Sequence, residues 1–344
     1  MMRPFKALLG FAATLSLVGL ACTQVMADDL PGKGKTIRFV QSESTGGNYV
    51  ITKIAIEASK RLGYATKLST VNTTLFFPAA AQGDLDLSMD VTLPQLQPSF
   101  DKVKDRTEVV GGGSITGAGY NGYMIDKKTA DAYHITSLEQ LKDPKIAGLF
   151  GKNGKADLIS CDPGWGCGDV VDYQLDKFGL KATVNPVRGK YEALMFENVA
   201  RLKRGEPVFF YAWAPSWMTN TMVPGKDVVW LPTPFDALPG NVPSSVSALT
   251  PGVAGCAGGA DPCRMAMAAW NWYAIGNKQF VAANPAIKAL VEQMTFPQAT
   301  WSYWEKTISQ DGSSERNIRK LADDWMSENK ATMEGWVATA KAAQ

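Results

Sequence analysis

Apolar and polar positions follow a strand-then-helix order from residue 36 onward. Thr36-Ile37-Arg38-Phe39-Val40 reads as a strand, and over residues 48–62 the apolar side chains Ile51, Ile54, Ala55, Ala58 and Leu62 fall at helical spacing, with Gly63 as a stop. Leu85-Asp86-Leu87-Ser88-Met89 predicts a further short strand, and Val109-Val110 with Gly111-Gly112-Gly113 closes this first unit. Tyr123-Met124-Ile125 opens a second unit, whose helix is predicted to begin at Ser137, with Gln140 three residues on as a capping box. Val208-Phe209-Phe210-Tyr211 and Val228-Val229-Trp230 are uninterrupted apolar runs of the kind buried strands carry. The alternation of strands and helices predicts an α/β fold with parallel sheets.

After residue 235 the chain becomes rich in Pro and Gly through Ala260, then apolar over residues 265–275. Helical patterns follow over residues 285–294 and from Ser314, where Ile318, Leu321 and Trp325 share a face. These terminal helices are expected to pack on the first unit. No internal repeat, coiled coil or low-complexity tract interrupts the pattern.

The N-terminus has a different character. Arg3 and Lys6 precede an apolar run over residues 7–21, and Val25-Met26-Ala27 stands before Asp28-Asp29, the layout of a secretory leader cleaved after Ala27. An apolar core of about 15 residues is short for a membrane span, and no later stretch reaches the roughly 18 uninterrupted apolar residues such a span needs. Cys22 raises lipid attachment as an alternative, which the bulky Leu20 two residues before it disfavours. Removing residues 1–27 takes away Arg3 and Lys6 from a chain with 35 Lys and Arg against 33 Asp and Glu, leaving a balanced charge. Balance supplies no electrostatic reason to expect nucleic acid or an anionic membrane as partner. The remaining length suits two domains.

Four cysteines remain after such cleavage, Cys161 with Cys167 and Cys256 with Cys263, in a protein routed to an oxidising compartment. Two short-loop disulfides are expected. Neither pair has metal-ligand C-x-x-C spacing, and the single histidine, His134, is distant from both in sequence, so no metal and no cofactor is expected. One histidine, placed just before the Ser137 cap, also leaves few ways to build a histidine-dependent catalytic site. No G-x-S-x-G or H-E-x-x-H occurs, and Gly32-Lys33-Gly34-Lys35-Thr36 lacks the first glycine and the preceding strand of a phosphate loop. The chain is expected not to be an enzyme.

Cys161-Asp162-Pro163-Gly164-Trp165-Gly166-Cys167 carries the most chemistry. A disulfide across this loop would fix Trp165 and turn the amides of Gly166 and Cys167 together, a fit for an anion such as a carboxylate. An indole beside a nest of amides suits a zwitterion whose trimethylammonium lies on π-faces. Taken alone, the same stretch is equally a stapled surface turn.

This loop, together with Met124-Ile125-Asp126-Lys127-Lys128-Thr129-Ala130-Asp131, Gln140-Leu141-Lys142-Asp143-Pro144-Lys145-Ile146-Ala147, Tyr211-Ala212-Trp213-Ala214-Pro215, Pro224-Gly225-Lys226-Asp227-Val228-Val229-Trp230-Leu231 and Leu238-Pro239-Gly240, resembles the glycine betaine/proline betaine-binding proteins of osmoprotectant ABC importers. The resemblance covers most of the mature chain. It implies a type II periplasmic binding protein: two α/β domains joined by two crossings and closing over a ligand cleft. It places the crossings near Asn121 and Thr233, with residues 28–121 and 234–344 as one domain and 122–233 as the other. It further implies a periplasmic monomer that delivers its solute to a permease and its ATPase.

By the resemblance, Trp165 and Trp213 stand at two positions of a three-tryptophan box around the cationic head, and Gly166 and Cys167 at the amides that take the carboxylate. Two positions depart. Thr92 stands where the family has its third Trp, and Leu96 where it has a carboxylate-binding His. Asp90 is a candidate to neutralise a cation directly, though as readily a solvated loop acid; Trp270 is a candidate to restore the aromatic wall, though as readily a core residue beside Trp272. The departures leave open a different solute on the same scaffold, such as an amino acid, choline or a methylated amine, and a ligand-sensing role in place of transport.

Overall fold

The computed structural model describes Met1 and residues 30–239 and 247–343. The expected leader, apart from Met1, and Cys22 lie outside the described residues. The first unit runs β1 (Thr36–Ser42), α1 (Gly47–Arg61), β2 (Ala65–Val71), α2 (Thr73–Gln82), β3 (Leu87–Leu93), α3 (Gln97–Asp101) and β4 (Thr107–Gly113), and a short β5 (Ile115–Thr116) leads away from it. The second runs β6 (Tyr120–Asp126), α4 (Lys127–Tyr133), α5 (Pro144–Ala147), β7 (Ala156–Ile159), α6 (Gly166–Lys177), β8 (Val184–Val187), α7 (Tyr191–Lys203), β9 (Phe209–Ala214), α8 (Trp217–Thr221) and β10 (Val228–Leu231). The chain continues through β11 (Leu249–Thr250) and β12 (Cys263–Arg264), and returns as β13 (Asn271–Asn277). It ends in α9 (Lys278–Ala283), α10 (Pro285–Gln293), β14 (Phe296–Pro297), α11 (Gln298–Asp311), α12 (Glu315–Glu328) and α13 (Lys330–Ala342).

Two five-stranded sheets result, ordered β2-β1-β3-β13-β4 and β10-β6-β9-β7-β8. The expectation of parallel sheets needs correction. β13 lies antiparallel between β3 and β4, and β6 is antiparallel to both β9 and β10. Sequential βαβ reading cannot see this, because each antiparallel strand enters its sheet directly from the other lobe or from a tight turn instead of through a crossover helix.

Local signals explain the elements that were foreseen. The apolar face of α1 is buried at Ile51, Ile54, Ala55 and Ala58, and Gly63 follows it with φ +90°, a conformation that suits glycine. The Ser137 and Gln140 capping box forms, but it opens a 3-10 turn over Leu138–Lys142 where a longer helix was expected; Asp143-Pro144 ends it, since Asp143 is extended ahead of proline. In α12, Ile318, Leu321 and Trp325 are buried, and the helix packs on α1 with Lys53 Nζ 2.6 Å from Glu315 Oε1.

The chain changes sheets at two neighbouring places. Gly119 and Trp270 exchange backbone hydrogen bonds of 2.9 and 3.0 Å, and the Ala266 amide donates to Asn121 at 2.9 Å. Asn271 clamps the outgoing segment, donating to the carbonyls of Ile115 at 2.6 Å and Gly117 at 3.2 Å. Near Thr233, where the return was expected, the hydrogen bonds do not change sides. Thr233 bonds Arg264 and Trp230 bonds Gly255, while Gln174 on α6 donates to the Ala237 carbonyl at 2.8 Å. Described residues between Thr233 and Ala266 therefore stay against the second sheet. The compositional break at residue 235 coincides with this Pro- and Gly-rich loop.

Candidate functional site

One cavity lies between the two sheets, and every residue singled out from the sequence for ligand binding lines it: Asp90, Thr92, Trp165, Gly166, Cys167, Trp213 and Trp270, with Leu96 beside them. Ser42, Asn48, Asn121, Trp272 and Glu305, none of which was foreseen as a site residue, line it as well.

The second-lobe wall is built around a helix N-terminus. Trp165 is the N-cap of α6 in extended conformation and supplies no side-chain cap, so the Gly166 and Cys167 amides that begin the helix keep free donor capacity toward the cavity. The Cys161–Cys167 disulfide closes this loop. Trp165 is 8% exposed, its ring centroid 6.3 Å from that of Trp213 and 5.6 Å from that of Tyr191. Tyr191 in turn stacks on Trp213 at 5.3 Å, with its hydroxyl donating to the Tyr211 carbonyl. Both tryptophans are thus held by packing rather than free to rotate.

The first-lobe wall comes from strand ends. Strand alternation puts Ser88, Asp90 and Thr92 on one face of β3, and the last two reach the cavity. Because β13 runs antiparallel to β3, its start lies at the end of β3, and the register sets Trp272 directly across from Thr92. Trp270, Trp272 and Trp301 form a cluster with centroid separations of 4.7 to 5.7 Å. An aromatic wall therefore stands beside Thr92, supplied from another strand. Trp270 belongs both to this packed cluster and to the cavity lining.

Asp90 is 3% exposed and within β3, which removes the solvated-loop reading. Its carboxylate accepts from the Ser42 amide at 2.9 Å, Asn48 Nδ2 at 2.8 Å and Ser88 Oγ at 2.8 Å. All three donors are neutral. Asp86, four residues earlier and 2% exposed, is held instead by Arg38 through Nε at 3.0 Å and Nη2 at 2.5 Å.

Glu305 on α11 is 2% exposed and accepts from the Gly47 amide at 2.8 Å and from Trp301 Nε1 at 3.0 Å. Burial pushes its carboxyl up to about 7, against the opposing pull of those donors and of the Trp217 backbone. Gly46 and Gly47 make room for it: a Cβ on Gly46 would lie 2.7 Å from Glu305 Oε1, and one on Gly47 2.8 Å from Trp301 Cδ1. The Gly46-Gly47 pair before a helix was the only sequence signal for this close approach, and it does not name its partner.

The lobes touch across the cavity mouth. Asn72 Nδ2 donates to the Pro163 carbonyl at 3.3 Å and Thr74 Oγ1 to that of Gly164 at 3.0 Å, both on the disulfide loop. Leu96 Cδ2 presses on Gly166, where an added Cβ would come within 2.4 Å of it. The second disulfide, Cys256–Cys263, forms as expected but lies outside the cavity lining, against β10 through a bridge between Cys256 and Trp230. Among the described residues no group of three or more His, Cys, Asp and Glu could hold a metal, and no helix is long and apolar enough to cross a membrane.

Residues 35–328 match the family model described as the substrate binding domain of ABC-type glycine betaine transport system. The chain is 37% identical over 343 residues to the glycine betaine-binding periplasmic protein OusX of Dickeya dadantii, covering 96% of this chain and 98% of the relative. It is 38% identical over 329 residues to the glycine betaine/proline betaine-binding periplasmic protein of Escherichia coli K12, covering 94% and 96%. A glycine betaine, L-proline ABC transporter binding protein from Borrelia burgdorferi shares the fold at a TM-score of 0.69 and 15% identity, over 90% of this chain and 99% of that one.

Proposed function

The chain belongs to the family of substrate-binding domains of ABC-type glycine betaine transport systems, and from that premise we propose that it captures a quaternary-ammonium solute between its two lobes. Members of this family bind solute for import and are not enzymes, and the type II periplasmic binding protein fold serves that role. Glycine betaine and proline betaine, named for the relatives, are the reference solutes. Delivery would be to a membrane permease and its ATPase, from a monomer in the periplasm once the leader is removed.

A single observation supports this reading most: Trp165 and Trp213 from one lobe and Trp270 and Trp272 from the other line one cavity, with no Lys, Arg or His among the described lining residues. Aromatic faces attract a cation through the ring quadrupole, by about 2 kcal/mol or more when the site is desolvated. A trimethylammonium group cannot donate conventional hydrogen bonds, so aromatic walls suit it better than a polar cage.

Closure would couple binding to delivery. The hinge we propose is the paired crossing at Gly119 and Trp270, which carries only a few backbone hydrogen bonds between the two sheets. The bonds from Asn72 and Thr74 to the disulfide loop, and the pressure of Leu96 on Gly166, exist only with the lobes together. A solute touching both walls therefore stabilises the shut arrangement by its differential affinity for it.

Calorimetric titration of the ligand-stripped mature protein tests the reading, with glycine betaine, proline betaine, choline and trimethylamine N-oxide as probes. Saturable one-to-one binding of at least one is the expected result. Silence with all four, in a protein shown to be folded, would overturn it.

A further inference from the structure

We propose that the solute carries a net positive charge and no carboxylate, a trimethylammonium alcohol of the choline type in preference to a betaine, with Asp90 as the residue that sets this choice. The inference rests on the quaternary-ammonium reading above and narrows it.

The charged residues that line the cavity, Asp90 and Glu305, are both acids. They differ from the buried acid next door in what answers them. Asp86 has the Arg38 guanidinium, whereas Asp90 has only a backbone amide, a carboxamide and a hydroxyl, and no cationic group among the described residues within ion-pairing distance. A buried carboxylate held by neutral donors alone leaves a field that a cation in the adjacent cavity would satisfy. Burial pushes Glu305 up to about 7, and a cation beside it favours its ionised form, which adds to the same preference.

A betaine brings the cation together with a carboxylate, and the carboxylate finds poor reception here. Its natural seat is the α6 N-terminus at Gly166 and Cys167, and Leu96 Cδ2 comes within 2.4 Å of where a Cβ on Gly166 would stand, so an apolar methyl borders that seat. The helix N-terminus offers about half a unit of positive charge. Facing it across the cavity are carboxylates of full negative charge once ionised. An alcohol oxygen can accept from the same amides without adding negative charge to that balance. The arrangement therefore discriminates by charge, through repulsion of the zwitterion's acid as well as attraction of the cation.

The experiment is calorimetry with choline and with glycine betaine on the wild-type mature protein and on Asp90→Asn, each checked for a cooperative thermal transition. The account expects choline to bind the wild type at least about tenfold more tightly than glycine betaine. In Asp90→Asn, choline affinity should fall by about tenfold or more while glycine betaine changes by less than about threefold. Glycine betaine binding as tightly as choline or tighter overturns this inference and leaves the quaternary-ammonium reading standing. Binding of neither overturns both. Choline preference that survives Asp90→Asn unchanged overturns the role given to Asp90. The wild-type ratio needs no variant, so a failure of Asp90→Asn to fold still leaves the charge preference decided.

Discussion

The second-lobe half of the cavity and the first-lobe half are built on different principles. The former gathers Trp165, Gly166 and Cys167 within one disulfide-closed loop and adds Trp213 from the neighbouring β9. The latter collects Ser42, Asn48, Asp90, Thr92, Trp272 and Glu305 from β1, α1, β3, β13 and α11, with Trp270 from the crossing just before β13, and Glu305 reaches back 258 positions to bond Gly47. A compact loop keeps its geometry as a unit. A wall assembled from strand ends can exchange one residue at a time, and here Trp272 stands opposite Thr92 on a different strand. Aromatic side chains enclose the cavity from both halves, while the polar and charged groups around them differ between the halves.

The largest effect expected concerns the first-lobe acid Glu305. Its folded-state value is raised, to about 7 from an ordinary 4.5, so its contribution to stability is fully present below pH 4.5 and lost as pH rises through about 7. In the ligand-free protein this amounts to roughly 3 kcal/mol over that window. Denaturant unfolding of wild type and Glu305→Gln at pH 4.5 and pH 8 should show the loss in the wild type and a flatter profile in the variant. Equal pH dependence in both would remove Glu305 from this role.

Next in size is the aromatic anchor of the other half. Trp165→Ala should weaken solute binding roughly 10- to 100-fold, as loss of a desolvated cation–π face implies. Trp336→Ala is the control. That residue stacks on Trp325 at 5.4 Å within the terminal helices, so its loss should lower the melting temperature and leave the dissociation constant unchanged. Equal losses of affinity in the two variants would show that the cavity is not where the solute sits.

The smallest effect separates the disulfides. Cys161→Ser with Cys167→Ser loosens the loop that fixes Trp165 and should weaken binding about fivefold, whereas Cys256→Ser with Cys263→Ser, away from the cavity, should cost stability without changing affinity. Paired calorimetry and thermal unfolding on the two variants distinguishes these outcomes. Unchanged affinity in the first pair would limit its bridge to a structural role.

These two halves also differ in how far they could be read from the sequence. Trp165, Gly166, Cys167 and Trp213 stand in short motifs whose residues are neighbours in the chain, so the resemblance located them together. Thr92 and Leu96 were located on the same basis and Asp90 by its place near them in the chain, but the burial of Asp90 depends on Ser42 and Asn48 arriving from β1 and α1. Trp272 and Glu305 carry no local signature. Their placement follows from the antiparallel entry of β13 and from the packing of α11 on Gly46 and Gly47, both long-range events that periodicity does not encode. The same antiparallel entry is why the parallel-sheet expectation failed.

The most direct test of the central claim is a nuclear Overhauser measurement on the complex with choline carrying labelled N-methyl groups. The account predicts cross-relaxation from the N-methyl protons to indole protons of both halves, Trp165 and Trp213 on one side and Trp270 or Trp272 on the other. Contacts confined to one lobe, or to none of these four rings, would contradict enclosure of the cation between the two walls.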